Sequence, residues 1–297
     1  MSIMLKAGTV IILILVIASA GYYLLQNNGT TTHNKEILIV STFPSLVDDI
    51  ESVACKNETV KAIVPKGVDP HEYQLTPEDA DLLKRATVIV STAHTPFEMK
   101  IRDLVEENET KAILLEIPKI PGIKILDNPV TGKPNYHMPI MDPSNYILFM
   151  RTLVTVLNKV DPGCTPIHEQ KLNELSAETN ELLKYRDKYN MTIIASDPTI
   201  QYEVSWLGFK VKYLFIVEHD TPASFEELNR ITQAISSGEA HCIIASTSTS
   251  EQLRNLINEI KIGNNEMRIV YIPGPLASGT ILSKLNETIK SIQICGK

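Results

Sequence analysis

The sequence has little of several residue types on which common activities depend. Of its 297 residues only four are Cys and one is Trp, and no C-x-x-C pair occurs, which excludes a zinc ribbon or a thioredoxin-type centre. It contains no G-x-S-x-G, H-E-x-x-H or P-loop motif, so the signatures of serine hydrolases, zincins and ATPases are missing. No Lys/Arg cluster offsets the net charge of −7, which argues against nucleic-acid binding.

The residues that are present indicate a globular chain. Apolar residues make up 43% of the chain and charged residues 21%, which is neither the composition of a disordered protein nor that of a multi-span membrane protein. At about 100–200 residues per domain, the length predicts two domains.

The N-terminus predicts an extracytoplasmic protein. Residues 7–25 carry no charge and follow Lys6. They form a stretch long enough for a membrane anchor and longer than the usual core of a signal peptide. Cleavage after Ala18-Ser19-Ala20 would instead give a secreted protein. We favour the anchor and assign residues 1–35 to the anchor or signal segment plus its tether. No Cys lies near residue 20, which excludes a lipid-modified N-terminal cysteine.

The glycosylation sequons and the cysteines also indicate an exported protein. Five N-x-T sequons predict a glycosylated surface. Four cysteines in an oxidising compartment predict two structural disulfides, with three pairings open. The sequons are at Asn28, Asn57, Asn108, Asn190 and Asn286, and the cysteines are Cys55, Cys164, Cys242 and Cys295.

Short β-branched runs alternate with helical patterns in both halves of the chain. This alternation predicts an α/β fold of two similar lobes, each a four-stranded, mainly parallel sheet flanked by helices. The predicted strands are Glu36–Ser41, Thr59–Val64, Thr87–Ser91, Lys111–Glu116, Met191–Ala195, Lys210–Phe215, Cys242–Ser246 and Met267–Ile272.

One long helix is predicted to bridge the lobes. Residues Thr165–Tyr189 contain no breaker after Pro166, which gives about 24 residues and about 36 Å of helix. We therefore place an N-terminal lobe at 36–163, the linking helix at 164–189 and a C-terminal lobe at 190–297. Two open sheets facing each other form a cleft at the carboxyl ends of their strands, where ligands bind.

Three side chains are candidate metal ligands for that cleft. His71 lies in a Pro-bounded loop after the second strand, and His137 lies in a Pro-rich loop before a helix. Asp197 directly follows the first strand of the second lobe. Imidazole and carboxylate groups at such positions suit a divalent transition metal.

Four blocks of the sequence resemble the extracytoplasmic zinc- and manganese-binding proteins of ABC transporters, which have a TroA-like fold. The most specific block is VDPHEYQLTPED, since the family has Asp-Pro-His-Glu-Tyr before Pro-Thr-Pro and a helix. The other blocks are HMPIMDPSNYILFM, SDPTIQYEVSWLGFKV and EHDTPASFEELNRITQAISSGEAHCIIAS. The likeness runs from about residue 36 to the end, in the family's order and spacing.

The resemblance implies a ligand set and a transport role. His71 and His137 match the first-lobe ligands, and Asp197 falls where the family has a His or Glu. The fourth carboxylate of many members is missing, since Gly274 stands near its place. Glu72 is an additional candidate ligand, and His94 and Glu218 are more remote ones. The resemblance also implies the disulfide Cys242–Cys295 and leaves Cys55 and Cys164 for the first lobe.

The implied cargo is Zn²⁺ or Mn²⁺, with Fe²⁺ a further candidate. The implied partners are a membrane permease and a separate ATPase subunit, and we expect a monomer. Because a histidine must lose its proton to bind metal, affinity should fall below about pH 6.

Two other classes of function stay open. One is a surface adhesin or structural domain in which the histidines are incidental. The other is a zinc hydrolase, for which Glu72 beside His71 is the best candidate base. We predict a binding protein and not an enzyme.

Overall fold

The computed structural model describes residues 36–218, 221–262 and 267–295. Within these residues the first lobe contains one four-stranded sheet, which is entirely parallel and has the order β2-β1-β3-β4. A short antiparallel hairpin, β5-β6, follows it. The strands are β1 Ile37–Ser41, β2 Glu58–Ala62, β3 Val88–Ser91, β4 Ile113–Glu116, β5 Leu126–Asp127 and β6 Pro134–Asn135.

The second lobe repeats this topology. Over the described residues its main sheet is parallel, with the order β12-β11-β7-β8, and a small antiparallel hairpin, β9-β10, stands beside it. The strands are β7 Met191–Ala195, β8 Phe209–Leu214, β9 Ile216–Glu218, β10 Thr221–Pro222, β11 Ala240–Ser246 and β12 Arg268–Ile272. Two parallel four-stranded sheets confirm the predicted fold class, whereas neither hairpin was predicted.

Helices flank both sheets, as the alternation of strand and helical patterns predicts. Thr76 and Asp79 form the capping box that starts the second helix, with Pro77 at its first position. The flanking helices are α1 Val47–Val53, α2 Pro77–Arg85, α3 Pro96–Glu106, α6 Thr199–Ser205, α7 Phe225–Ser236, α8 Glu251–Ile262 and α9 Ile281–Ser291.

Two helices, α4 (Pro143–Val160) and α5 (Thr165–Leu183), connect the lobes. Helix α5 packs against α4 and α1 on one side of the molecule and also contacts α9 of the second lobe. The predicted end of this helix at Tyr189 is wrong. After Leu183 the chain turns, with Asp187 in the left-handed region, because the N–H groups of Asp187 and Tyr189 donate to the carbonyls of Trp206 and Leu207.

A shared hydrophobic core joins the lobes. It extends from the first sheet through the buried face of α4 to one face of the second sheet. Successive side chains of β11 point to opposite faces of the second sheet. Ile244 therefore lies in the shared core, whereas Ile243 lies in a second core on the other face. The two lobes are therefore held together by continuous apolar packing.

Both disulfides implied by the resemblance are present, Cys55–Cys164 and Cys242–Cys295. The first fastens the start of α5 to the first lobe. No helix in the described ranges has the length and apolar character needed to cross a membrane. The predicted anchor and Asn28 lie outside those ranges, and glycosylation stays a prediction.

Candidate metal centre

A cavity of about 650 Å³ lies at the carboxyl ends of both sheets. Its wall is built from segments that follow strands of both lobes, which is where ligands bind in open α/β sheets. The first lobe contributes His71, His94 and His137, and the second lobe contributes Asp197 and Glu218.

Three imidazoles converge on one wall of the cavity. One nitrogen of each of His71, His94 and His137 lies within 4.8 Å of the others. The ring centroids are 5.2 Å apart for His71 and His94, 5.3 Å for His94 and His137, and 5.7 Å for His71 and His137. All three side chains come from the first lobe.

Loop structure brings these histidines together. His71 follows β2, and its backbone N–H donates to Asp69 Oδ1 at 2.8 Å. His137 follows β6, and the next residue, Met138, adopts a left-handed conformation before a short 3₁₀ turn. His94 stands three residues after β3, at the end of a strand that pairs with β1.

An amide from the first lobe orients His137. His137 Nδ1 lies 2.9 Å from Asn135 Oδ1, which also accepts the backbone N–H of His137. The Nδ2 of Asn135 donates to Pro198 O at 2.9 Å and to Gln201 Oε1 at 2.8 Å, both in the second lobe. Asn135 therefore fixes one histidine and also links the two walls of the cavity.

A buried carboxylate organises the loop that carries His94. Glu98 accepts from Thr92 N at 2.7 Å, His94 N at 3.0 Å and Thr95 N at 3.1 Å, and also from the hydroxyls of Thr92 and Thr42. Burial alone would raise the pKa of Glu98, but the neighbouring His94 and these hydrogen bonds hold it below its ordinary value.

The His94 side chain is only 8% exposed. Its Nδ1 lies 2.9 Å from Thr92 Oγ1. Burial lowers the pKa of His94 to about 4, against the opposing effect of Glu98, and the nearby His137 and His71 also disfavour its charged form. The imidazole is therefore neutral near pH 7 and able to bind a metal ion.

The carboxylates predicted as ligands occupy different positions. Asp197 lines the cavity but is not in the imidazole group, and it accepts from Ser196 Oγ at 2.6 Å, Thr199 N at 3.0 Å and the Thr199 hydroxyl. Glu218 also lines the cavity and accepts from Asn128 Nδ2 at 3.2 Å. Glu72 is exposed and is not part of the cavity wall.

The position of Gly274 leaves no room for a carboxylate. A Cβ atom built on Gly274 would lie 2.3 Å from Ser246 Oγ and 3.3 Å from Ser246 Cβ. Ser246 is buried at the end of β11, and its hydroxyl is 2.7 Å from that of Ser248. The side chain of Ser246 thus fills the space that a side chain at position 274 would need.

One further group in the described residues has ligand-type side chains, namely Cys55, Cys164 and His168. Its two sulfurs form a disulfide, so neither is a thiolate that could bind metal. His168 is fully buried between Glu58, at 3.0 Å, and Asn158, at 2.8 Å. These contacts give it a structural role.

Sequence comparison identifies a family and several relatives of this chain. The family described as "Zinc-uptake complex component A periplasmic" matches residues 39–293. The manganese ABC transporter substrate-binding lipoprotein PsaA of Streptococcus mitis is 20% identical over 238 residues, covering 76% of this chain and 77% of its own. The iron-binding protein YfeA of Yersinia pestis is 21% identical over 274 residues, covering 87% and 86%.

Solved structures share the fold. The crystal structure of ZnuA superposes with a TM-score of 0.69 at 18% identity, covering 88% of this chain and 99% of that one. The manganese-bound periplasmic metal binding protein from Candidatus Liberibacter asiaticus gives a TM-score of 0.65 at 18% identity, covering 87% and 97%.

Proposed function

The chain belongs to the family of periplasmic zinc-uptake components, and we propose that it binds a divalent transition-metal ion outside the cytoplasm and delivers it to the permease of an ABC transporter. The observation that carries this proposal is the group of three imidazoles in a cavity between two lobes. Relatives named for manganese and iron support metal as the class of cargo.

The ligands proposed from the sequence are His71, His137 and Asp197. Imidazole and carboxylate donors together suit zinc, iron(II) and manganese, and none of them needs a thiolate that would oxidise outside the cell. Asp197 would turn from its local hydrogen bonds, or bind through a lone pair that they leave, to complete the site from the second lobe.

Transport is favoured over catalysis. The family is a transport family, and we propose that this chain is likewise not an enzyme. A hydrolase would need a general base facing the metal. Glu72, the base in the hydrolase alternative, is exposed and lies outside the cavity wall.

Delivery involves further subunits. We propose that a permease takes the ion from the cavity and that a separate ATPase subunit drives uptake. The segment 1–35 would hold the chain at the membrane, and the chain would act as a monomer. In this proposal the lobes 36–163 and 190–297 form the two walls around the ion, and the segment 164–189 links them.

Equilibrium dialysis of the full chain tests the proposal. The chain would be dialysed against equal concentrations of zinc, manganese and iron(II), and bound metal counted by elemental analysis. About one ion per chain is expected, with loss in His71→Ala, His137→Ala and Asp197→Ala. His241→Ala, an exposed position on β11, is the matched control. No bound metal, or equal binding by all four variants, would favour the adhesin alternative.

A further inference from the structure

We propose that His94 is a direct ligand of the transported ion, so that the first lobe alone supplies three imidazole nitrogens and the site discriminates strongly for zinc against manganese. This inference rests on the proposed function and specifies its ligand set and cargo. The sequence motifs place His94 only among the more remote candidate ligands, because it stands outside the Pro-bounded loops that mark His71 and His137.

The spacing of the three rings fits one ion. Zinc binds imidazole nitrogen at about 2.0–2.1 Å, so two nitrogens of a tetrahedral site are about 3.4 Å apart. The three nitrogens of His71, His94 and His137 already lie within 4.8 Å of one another. Each pair would have to close by at most about 1.4 Å to reach ligand distance.

The tautomer of His137 is set for binding. The amide of Asn135 is oriented by its two Nδ2 donations to the second lobe, so its oxygen faces His137 Nδ1 at 2.9 Å. An amide oxygen only accepts, so Nδ1 carries the proton. The Nε2 atom then presents a lone pair, which is the usual arrangement of a metal-binding histidine with an outer partner.

Hydrogen bonding also sets the tautomer of His94. The Thr92 hydroxyl lies 2.8 Å and 2.9 Å from the two Glu98 carboxylate oxygens, so its single proton points to the carboxylate. Its oxygen therefore accepts from His94 Nδ1–H at 2.9 Å. Carboxylate, hydroxyl and imidazole form a chain that holds His94 Nε2 as the remaining acceptor.

Asp197 of the second lobe is less well placed than His94 to be the third ligand. Asp197 already accepts three hydrogen bonds from Ser196 and Thr199 and is not in the imidazole group. Its role would be the fourth ligand, in place of water. In this proposal the three imidazoles of the first lobe bind the ion, and Asp197 of the second lobe completes the site.

Three imidazole ligands favour zinc over manganese. Imidazole suits zinc, whereas manganese prefers carboxylate, carbonyl and water oxygens. Replacing one imidazole ligand by an oxygen ligand should lower the ratio of zinc affinity to manganese affinity. This chain is therefore expected to differ in cargo from the relatives named for manganese.

The zinc-loaded full chain tests the ligand count directly. Long-range ¹H–¹⁵N NMR spectra of its histidine rings should show three imidazoles whose Nε2 resonance shifts on zinc binding. Histidine variants would assign these resonances, and His94 should be one of the three. Two shifted rings, with His94 unchanged, would overturn the proposal. This measurement does not require any variant to bind metal.

Affinity measurements supply the second test. His94→Ala should weaken zinc binding by more than about 100-fold, since losing an outer partner alone typically costs about 10–100-fold. His94→Asp should lower the zinc-to-manganese affinity ratio at least about tenfold. His241→Ala should match the wild type. Wild-type zinc affinity in both His94 variants would refute the inference while leaving the proposed function intact, and a wild type that binds no metal would refute both.

Discussion

Asp49 of α1 in the first lobe accepts a hydrogen bond from the backbone N–H of Ile281, the first residue of α9 in the second lobe, at 3.0 Å. The same carboxyl oxygen accepts from Tyr146 Oη at 2.8 Å, and the neighbouring Asp48 accepts from Gly279 N at 3.0 Å. Two acidic residues of one lobe thus satisfy N–H groups at the start of a helix in the other.

The buried Asp49 makes stability depend on pH. Burial raises its pKa to about 6, although Ile281 and Tyr146 donate to it and Lys284 is near. Because the pKa is raised on folding, the favourable effect of the neutral carboxyl is complete below its ordinary value and is lost as the pH rises through about 6. The difference between the two pKa values corresponds to up to about 3 kcal/mol.

Asp49→Asn removes this ionisable group while keeping an oxygen acceptor. Denaturant unfolding from pH 4 to pH 8 should show the variant gaining stability relative to the wild type as the pH rises, by up to about 3 kcal/mol. Asp103→Asn, at an exposed position of α3, is the control and should follow the wild-type curve. Parallel curves for Asp49→Asn and the wild type would contradict the prediction.

The hydroxyl of Thr92 is predicted to orient His94. Thr92→Val keeps the shape of the side chain and removes the acceptor for His94 Nδ1. Zinc affinity, measured by competition with a chromophoric chelator, should fall about 10–100-fold. Thr179→Val serves as the control, because it removes a buried hydroxyl bonded to Leu175 O far from the cavity. An equal effect on zinc affinity in both variants would argue against an orienting role.

The packing at Gly274 is predicted to exclude any side chain. Gly274→Ala would place a Cβ against Ser246 and should lower the free energy of unfolding by about 1–3 kcal/mol. Gly163→Ala, whose Cβ would meet only Asp161 Oδ1 at 3.4 Å, should change stability by less than about 0.5 kcal/mol. A Gly274→Ala variant as stable as the wild type would contradict this prediction.

Zinc affinity is predicted to fall in acid. A proton competes with the metal for each imidazole lone pair, so zinc binding should be weaker in acid than at neutral pH. Competition titrations at about pH 7.5 and about pH 5 provide the comparison. A constant affinity over this range would argue against histidine ligation.

Local patterns predicted most of the fold and part of the site. The strand and helix periodicities located the elements of both sheets, because buried parallel strands are short apolar runs and the flanking helices are amphipathic. His71 and His137 stood out because Pro residues and a helix start mark their loops. His94 carries no such mark, and its position beside them depends on β3 pairing with β1, a strand order that periodicity does not determine.

Tertiary contacts explain the other features of the structure that the sequence did not predict. The end of α5 at Leu183 depends on hydrogen bonds from Asp187 and Tyr189 to residues about 20 positions further along the chain, which local helix propensity does not include. The packing of Ser246, at the end of β11, into the space at Gly274, just after β12, likewise depends on two strands that are adjacent only in the folded sheet.

Anomalous diffraction from crystals of the zinc-loaded protein, recorded on both sides of the zinc absorption edge, would locate the bound ion among its ligands. We expect one strong peak in the cavity, about 2.0–2.1 Å from a nitrogen of each of His71, His94 and His137. A peak bonded to His71, His137 and Asp197 but not to His94 would contradict the three-imidazole site. A cavity without a peak would contradict metal capture itself.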